Sequence, residues 1–240
     1  MSSLIIVVVI LFIAELVRSS IGFGNALVAM PLLVLVIDLR LATPLVALVS
    51  MTAAMVILGS SLQDVRFSDA WRLNLGALAG VPLGVLILNN VPQQLGVGII
   101  ALLIIGYGGY SLMRPNLPHL RVSWPAFGVG AIAGMIGAAF NISGPPVVVY
   151  AGLRRWSPKD SRATLQSFFV PTGILVIAGH GLTGLWSTEL LQLFLLSLPG
   201  VLLATVVGRR VNHRVSYRSF QRVINLFLIA MGFFMLARLW

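Results

Sequence analysis

No cysteine occurs anywhere in the 240 residues, which excludes disulfides, thiolate metal sites and thiol nucleophiles. Charge is almost as scarce. Only 9% of the residues are charged, against about 25% in a soluble domain, so the chain cannot cover itself with a water-facing surface. Six acidic residues and three histidines are scattered along it, and neither a protein-held metal nor a cofactor is expected from such a set. No segment pairs two carboxylates, and no Ser–His or HExxH spacing appears, so a membrane-embedded hydrolase or transferase has no machinery here. The absence of a P-loop, and of any hydrophilic stretch with room for a nucleotide domain, rules against primary pumping. The chain reads as a non-enzyme.

What is abundant is apolar surface: 58% of residues are hydrophobic and the mean hydropathy is +1.01. The expected fold class is an all-α polytopic membrane protein, with residues 1–240 forming a single membrane domain. Ten apolar segments can be read: Leu4–Val17, Ile21–Ile37, Leu41–Leu62, Leu73–Leu88, Leu95–Met113, Val122–Phe140, Gly144–Leu153, Ala163–Leu182, Leu190–Val207 and Val223–Leu239. A full crossing takes about 20 residues, so Leu4–Val17 and Gly144–Leu153 look too short to span. Eight crossings plus half-helices and ten crossings both remain open. The first run lacks a basic n-region and a small-residue cleavage site, which marks it as a retained segment rather than a signal peptide.

The net charge of +10 would suggest nucleic acid in a soluble protein, but here the cations sit in short connections between apolar runs. All 16 basic residues except Arg40 and Arg238 fall on one side of the alternating segments. The positive-inside rule makes that side cytoplasmic, which puts both termini outside the inner membrane. Anionic lipid headgroups are the natural partners of these Arg/Lys loops, nucleic acid is not, and a homodimer is compatible with the sequence. Trp71, Trp124, Trp156, Trp186 and Trp240 lie near segment ends, as an interfacial belt would.

The two halves, about 1–114 and 122–240, resemble each other. Gly76, Gly84, Gly108 and Arg114 match Gly200, Gly208, Gly232 and Arg238 at one constant offset. Ala42-Thr43 matches Ala163-Thr164, and Gly22 and Pro31 match Gly137 and Pro146. With five segments in each half, an odd number, the second repeat is expected upside down relative to the first. Gly76, Gly80 and Gly84 also recur every four residues, a smooth strip suited to close helix packing.

Polar, helix-breaking clusters fall at equivalent places in the halves. One holds Gly22, Phe23, Gly24 and Asn25; the other holds Asn141, Ser143, Gly144 and Pro145. Non-helical backbone at depth survives in a membrane only where it lines a cavity or is buried in protein. A helix starting at such a break presents free N–H groups and a positive dipole end, which suits a small anionic substrate. The plainer alternative is a pair of tight turns between short helices. Arg162 opens an apolar run beside Thr164, Gln166 and Ser167, and with Gln166 it offers a candidate anion vestibule or, equally, a snorkelling anchor. Ionisable groups at depth are candidates for proton coupling. Glu15 and His180 are the two, although Glu15 also stands three residues from Arg18 and could simply pair with it.

Gly22-Phe23-Gly24 leading to Pro31-Leu32-Leu33 resembles the first-repeat signature of the TauE/SafE sulfite exporter family. Gly144-Pro145-Pro146 followed by Arg162-Ala163-Thr164 resembles its second-repeat counterpart. The likeness covers nearly the whole chain, including Gly200 and Gly208. The run Gly134-Met135-Ile136-Gly137-Ala138-Ala139 departs from the family pattern. The resemblance implies export of sulfite, sulfonates or related organosulfur or carboxylate anions, coupled to protons, by an alternating-access secondary transporter. An anion channel and a non-transporting membrane assembly subunit are the other classes the sequence admits.

Overall fold

The computed structural model describes residues 2–21, 23–58, 62–113, 117–211 and 217–239. Ten α-helices account for nearly all of them: α1 (Ser2–Ile21), α2 (Asn25–Leu33), α3 (Leu39–Leu58), α4 (Phe67–Asn90), α5 (Gln93–Met113), α6 (Ala126–Phe140), α7 (Gly144–Leu153), α8 (Pro158–Leu182), α9 (Thr188–Val211) and α10 (Tyr217–Arg238). A 3-10 turn at Leu62–Asp64 precedes α4. Among the described residues, α3, α4, α5, α8, Thr188–Gly208 of α9 and Gln221–Arg238 of α10 are long and apolar enough to cross a membrane.

The short elements are not quite those expected. Helix α7 has the expected bounds, and its 10 residues rise about 15 Å, half of the roughly 30 Å of hydrocarbon. In the first half, however, the short helix is α2, with 9 residues, while α1 runs for a full 20. The expectation that the first segment ends at Val17 is therefore corrected. Arg18 and Ser19 do not stop the helix because both are buried and partnered in the fold, so the break falls later, at a glycine.

The chain forms two compact units. One comprises residues 47–90 and 117–187, hence most of α3 with α4, α6, α7 and α8. Its axis is the contact of α4 with α6, and the glycine strip makes that contact possible. A Cβ on Gly76, Gly80 or Gly84 would collide with the backbone carbonyls of Phe127, Ala131 and Met135 respectively. Gly130 and Gly134 return the favour against the backbone of Leu73 and Ala77. Because residue numbers rise together along the contact, α4 and α6 run parallel. Helix α8 packs on α4, and Ala47, Val81, Val85, Ala138 and Val176 form a shared core.

The other unit comprises residues 1–46, 91–116 and 188–240. Here α1 lies parallel to α9: Gly200 faces Phe12, and Gly208 faces Ser19 and the Leu16 carbonyl. Helices α5 and α10 are antiparallel, with Gly108 against Asn225 and Ile229, and Gly232 against Ala101 and Ile105. The short α2 rests on α1, α5 and α10. Each unit thus pairs the first helix of one half with the fourth helix of the other, in parallel.

On α4 the face away from the glycines carries Leu75, Leu78, Leu83 and Leu86, each more than half exposed. Such a stripe would be costly in water and costs nothing against lipid tails. A Gly80→Leu variant should lose about 1–3 kcal/mol of stability, read as a lower melting temperature in detergent, because a rigid backbone carbonyl occupies the site. Gly106→Ala, whose Cβ meets no atom within 4 Å, should not lower it.

Candidate functional site at two helix breaks

The first break separates α1 from α2. Gly22 lies outside the described residues. Gly24 adopts φ 98°, a left-handed conformation that glycine alone tolerates cheaply, and it caps α2 without a side chain. Phe23 is buried edge-on against Tyr107, with ring centroids 6.2 Å apart. Asn25, also buried, supplies the side-chain chemistry the glycine lacks. Its Oδ1 accepts the Ala26 N–H at 2.8 Å, capping one of the freed amides of α2. Its Nδ2 donates to Glu15 Oε2 at 3.3 Å.

Glu15 is fully buried and held from three elements. Besides Asn25 of α2, Ser19 Oγ of α1 donates to its Oε1 at 3.2 Å, and Thr205 Oγ1 of α9 lies 3.3 Å from the same oxygen. The Thr205 hydroxyl also reaches the Val201 carbonyl at 2.9 Å, so its one proton is shared. Arg18 Nη1 stands 3.8 Å from Glu15 Oε2, an ion pair longer than a hydrogen bond, and the guanidinium is only 1% exposed. Sequence reasoning placed Arg18 with the cytoplasmic anchors; the fold places it inside the protein. Beside the break lies a cleft of about 20 Å³, enough for one water-sized group, lined by Phe23, Gly24, Leu27, Tyr107, Gln221 and Asn225.

The second break separates α6 from α7. Asn141 turns left-handed at φ 60° and donates its N–H to the Gly137 carbonyl at 2.8 Å. Asparagine is one of the few side chains that visit this region readily. Ser143 precedes α7 without a side-chain capping bond and packs against Gly137, where a Cβ would come within 2.8 Å of its own. Gly144, Pro145 and Pro146 open α7. Two of its first four residues therefore lack an N–H, so this helix start offers fewer amide donors than a generic one.

The carbonyl of Ala138 would ordinarily receive the N–H of Ile142, but that residue lies past the break. His180 of α8 takes over: its Nε2 lies 2.9 Å from Ala138 O. That contact requires Nε2 to carry the proton, which leaves Nδ1 as a bare acceptor. The ring is fully buried, rather than at the outer surface, and Nδ1 has no partner among the described residues. Gly179 permits this approach, since a Cβ there would sit 2.9 Å from Val85 of α4.

The far end of α7 is fastened by a buried cluster that no sequence pattern announced. Tyr150 OH donates to Asp69 Oδ1 of α4 at 2.9 Å, and Arg154 Nη2 reaches Asp69 Oδ2 at 3.4 Å. Arg154 Nη1 also donates to the carbonyls of Leu120 and Arg121 at 2.9 and 2.8 Å. Asp69 stands 81 residues from Tyr150 and 85 from Arg154 in sequence, beyond any local signal.

At the start of α8 the expected vestibule residues are built into the contact with α4. Thr164 Oγ1 accepts the Arg66 N–H at 3.0 Å, Ser167 O accepts from Asn74 Nδ2 at 3.2 Å, and Gln166 is fully buried. Arg162 is half-buried. Arg66 itself is tied to Asp160 at 2.6 Å.

Described residues whose regular elements are all helical, with six helices among them long and apolar enough to cross and with outward leucines, mark a multi-pass membrane protein. It belongs to the sulfite exporter TauE/SafE family, whose profile matches residues 7–235. The chain is similar to the probable sulfite/organosulfonate exporter TauE of Cupriavidus necator, at 26% identity over 191 residues, covering 78% of this chain and 75% of that relative. No solved structure matches it.

His180→Leu should cost about 1–3 kcal/mol, because the Ala138 carbonyl would be left buried without a donor. Thermal melting and faster amide exchange around residues 137–142 would register the loss, and His180→Gln should recover part of it.

Proposed function

We propose that this protein is a secondary exporter of small anions, with sulfite, sulfonates and related organosulfur or carboxylate anions as the substrate class. The observation that carries the reading is the pair of interrupted helices, α1–α2 and α6–α7, at the same place in each half. Interrupted helices at corresponding positions are how transporters built from inverted repeats make a solute site. Repeats spanning about 1–114 and 122–240 are supported by the exchanged pairs, since α1 with α9 maps onto α6 with α4 when the halves are interchanged. The similarity to a relative named for sulfite and organosulfonate export supports the choice of anion.

The orientation in this reading is inner-membrane, with both termini outside. Gly208 lies against Ser19, and Arg209 and Arg210 follow directly in sequence, so the end of α1 belongs on the basic, cytoplasmic side. Each break is taken by itself as an anion contact: Gly24 and Asn25 at the first, and Asn141, Ser143 and the Gly144 N–H at the second. Arg162 serves as the cytoplasmic approach. Export runs by alternating access with proton coupling, for which Glu15 and His180 are the buried candidates.

Counterflow in proteoliposomes tests the transport class. Labelled sulfite should enter saturably and faster when unlabelled sulfite is trapped inside. Flux without that stimulation would mean a channel, and no flux at all would mean an assembly subunit. Arg162→Gln should raise the half-saturation concentration severalfold with the maximal rate retained; an unchanged value would return Arg162 to an anchoring role.

A further inference from the structure

We propose that Arg18 is the anion-binding cation of the first break and that Glu15 is its proton-operated counter-ion, so that one proton and one anion must enter the site together. The inference rests on the export reading above and adds to it a residue and a stoichiometry. Its basis is a guanidinium and a carboxylate that are both sealed from solvent, 3.8 Å apart, one turn before a helix break. Charges sealed inside the protein have to balance, because a net buried charge is far costlier than a pair.

Among the described side chains of α1 and of the two helices that pack most on it, α2 and α9, charged groups are few. Helix α2, packed against α1, has no titratable residue, and α1 has only Glu15 and Arg18. On α9, Glu189 sits in the first turn, about 24 Å of helix before Thr205. Arg209 and Arg210 follow Thr205 by one turn, with side chains outside the described residues. Glu15 is thus the carboxylate that faces Arg18. Ser19, Asn25 and Thr205, which hold the carboxylate, are neutral and change no balance.

Four occupancies of this site can be compared. Ionised Glu15 with Arg18 is neutral overall, and so is protonated Glu15 with Arg18 and a bound monoanion. A proton alone leaves an uncompensated guanidinium, and an anion alone leaves two negative charges against one positive. The low-dielectric surroundings suppress the two unbalanced states, which couples proton and anion binding in both directions. The hydroxyls of Ser19 and Thr205 can turn to accept a hydrogen bond from the protonated carboxyl, since each both donates and accepts. Arginine suits the sulfonate or sulfite group because its planar fork meets two oxygens at once. Asn25, bonded to Glu15 and placed at the start of α2, connects the proton site to the break itself.

The test is calorimetric titration of the purified full chain with methanesulfonate, an anion whose own charge is constant between pH 5.5 and 8.5. For the wild type, the apparent Kd should rise about tenfold per pH unit over the alkaline part of the range. E15Q, a permanent mimic of the protonated side chain, should bind independently of pH and as tightly as the wild type at its acid limit. E15Q/R18Q, neutral as a pair, should keep its melting temperature within a few degrees and lose binding by 100-fold or more. A wild-type slope retained in E15Q, or wild-type affinity in the double variant, overturns the proposal. Should the double variant fail to fold, the E15Q slope decides by itself. Sulfite counterflow in the wild type separates the two readings. Its absence removes the export reading and this one together, whereas intact counterflow with a pH-sloped E15Q removes this one alone.

Discussion

A helix that stops inside apolar surroundings strands its terminal N–H and C=O groups, and no water is there to receive them. Both interruptions in this protein are organised around that debt. At the first, the amide of Ala26 is met by Asn25, which is in turn held by Glu15. At the second, the Ala138 carbonyl is met by His180 from a helix about forty residues away in sequence. The two ionisable groups most deeply placed in the helices are therefore found where the backbone is least regular.

Close helix approach is the second organising constraint. Lipid tails are as apolar as leucine, so association rests on packing and on interhelical hydrogen bonds rather than on exclusion of water. Glycines at 76, 80, 84, 130 and 134 bring the backbones of α4 and α6 together, and Gly208 does the same for α1 and α9. In both cases the pairing joins the first half of the chain to the second. The first helix of each half thus finds its largest partner in the other half.

Much of this was legible in the sequence. Charge scarcity and apolar runs gave the membrane class, since no alternative covers such a surface. The glycine spacing on α4 announced a packing face, Gly144–Leu153 was read to the residue, and both interruptions fell where Gly, Asn and Pro cluster. The apolar run ends at Val17, yet α1 continues through Arg18 and Ser19 to Ile21. Whether a charged residue ends a helix or sits inside it depends on partners that segment-by-segment hydropathy cannot see.

The sequence by itself determined that this chain lives in a membrane, where its two helix breaks cluster, and which family it resembles, because those follow from local composition and spacing. Tertiary structure alone decided that Arg18 is buried beside Glu15, that His180 closes the end of α6, and that Asp69, Tyr150 and Arg154 fasten α7. The physical reason is the cost of burying a polar group. That cost is set by what arrives to meet it, and for His180 and Asp69 no window of sequence contains both partners.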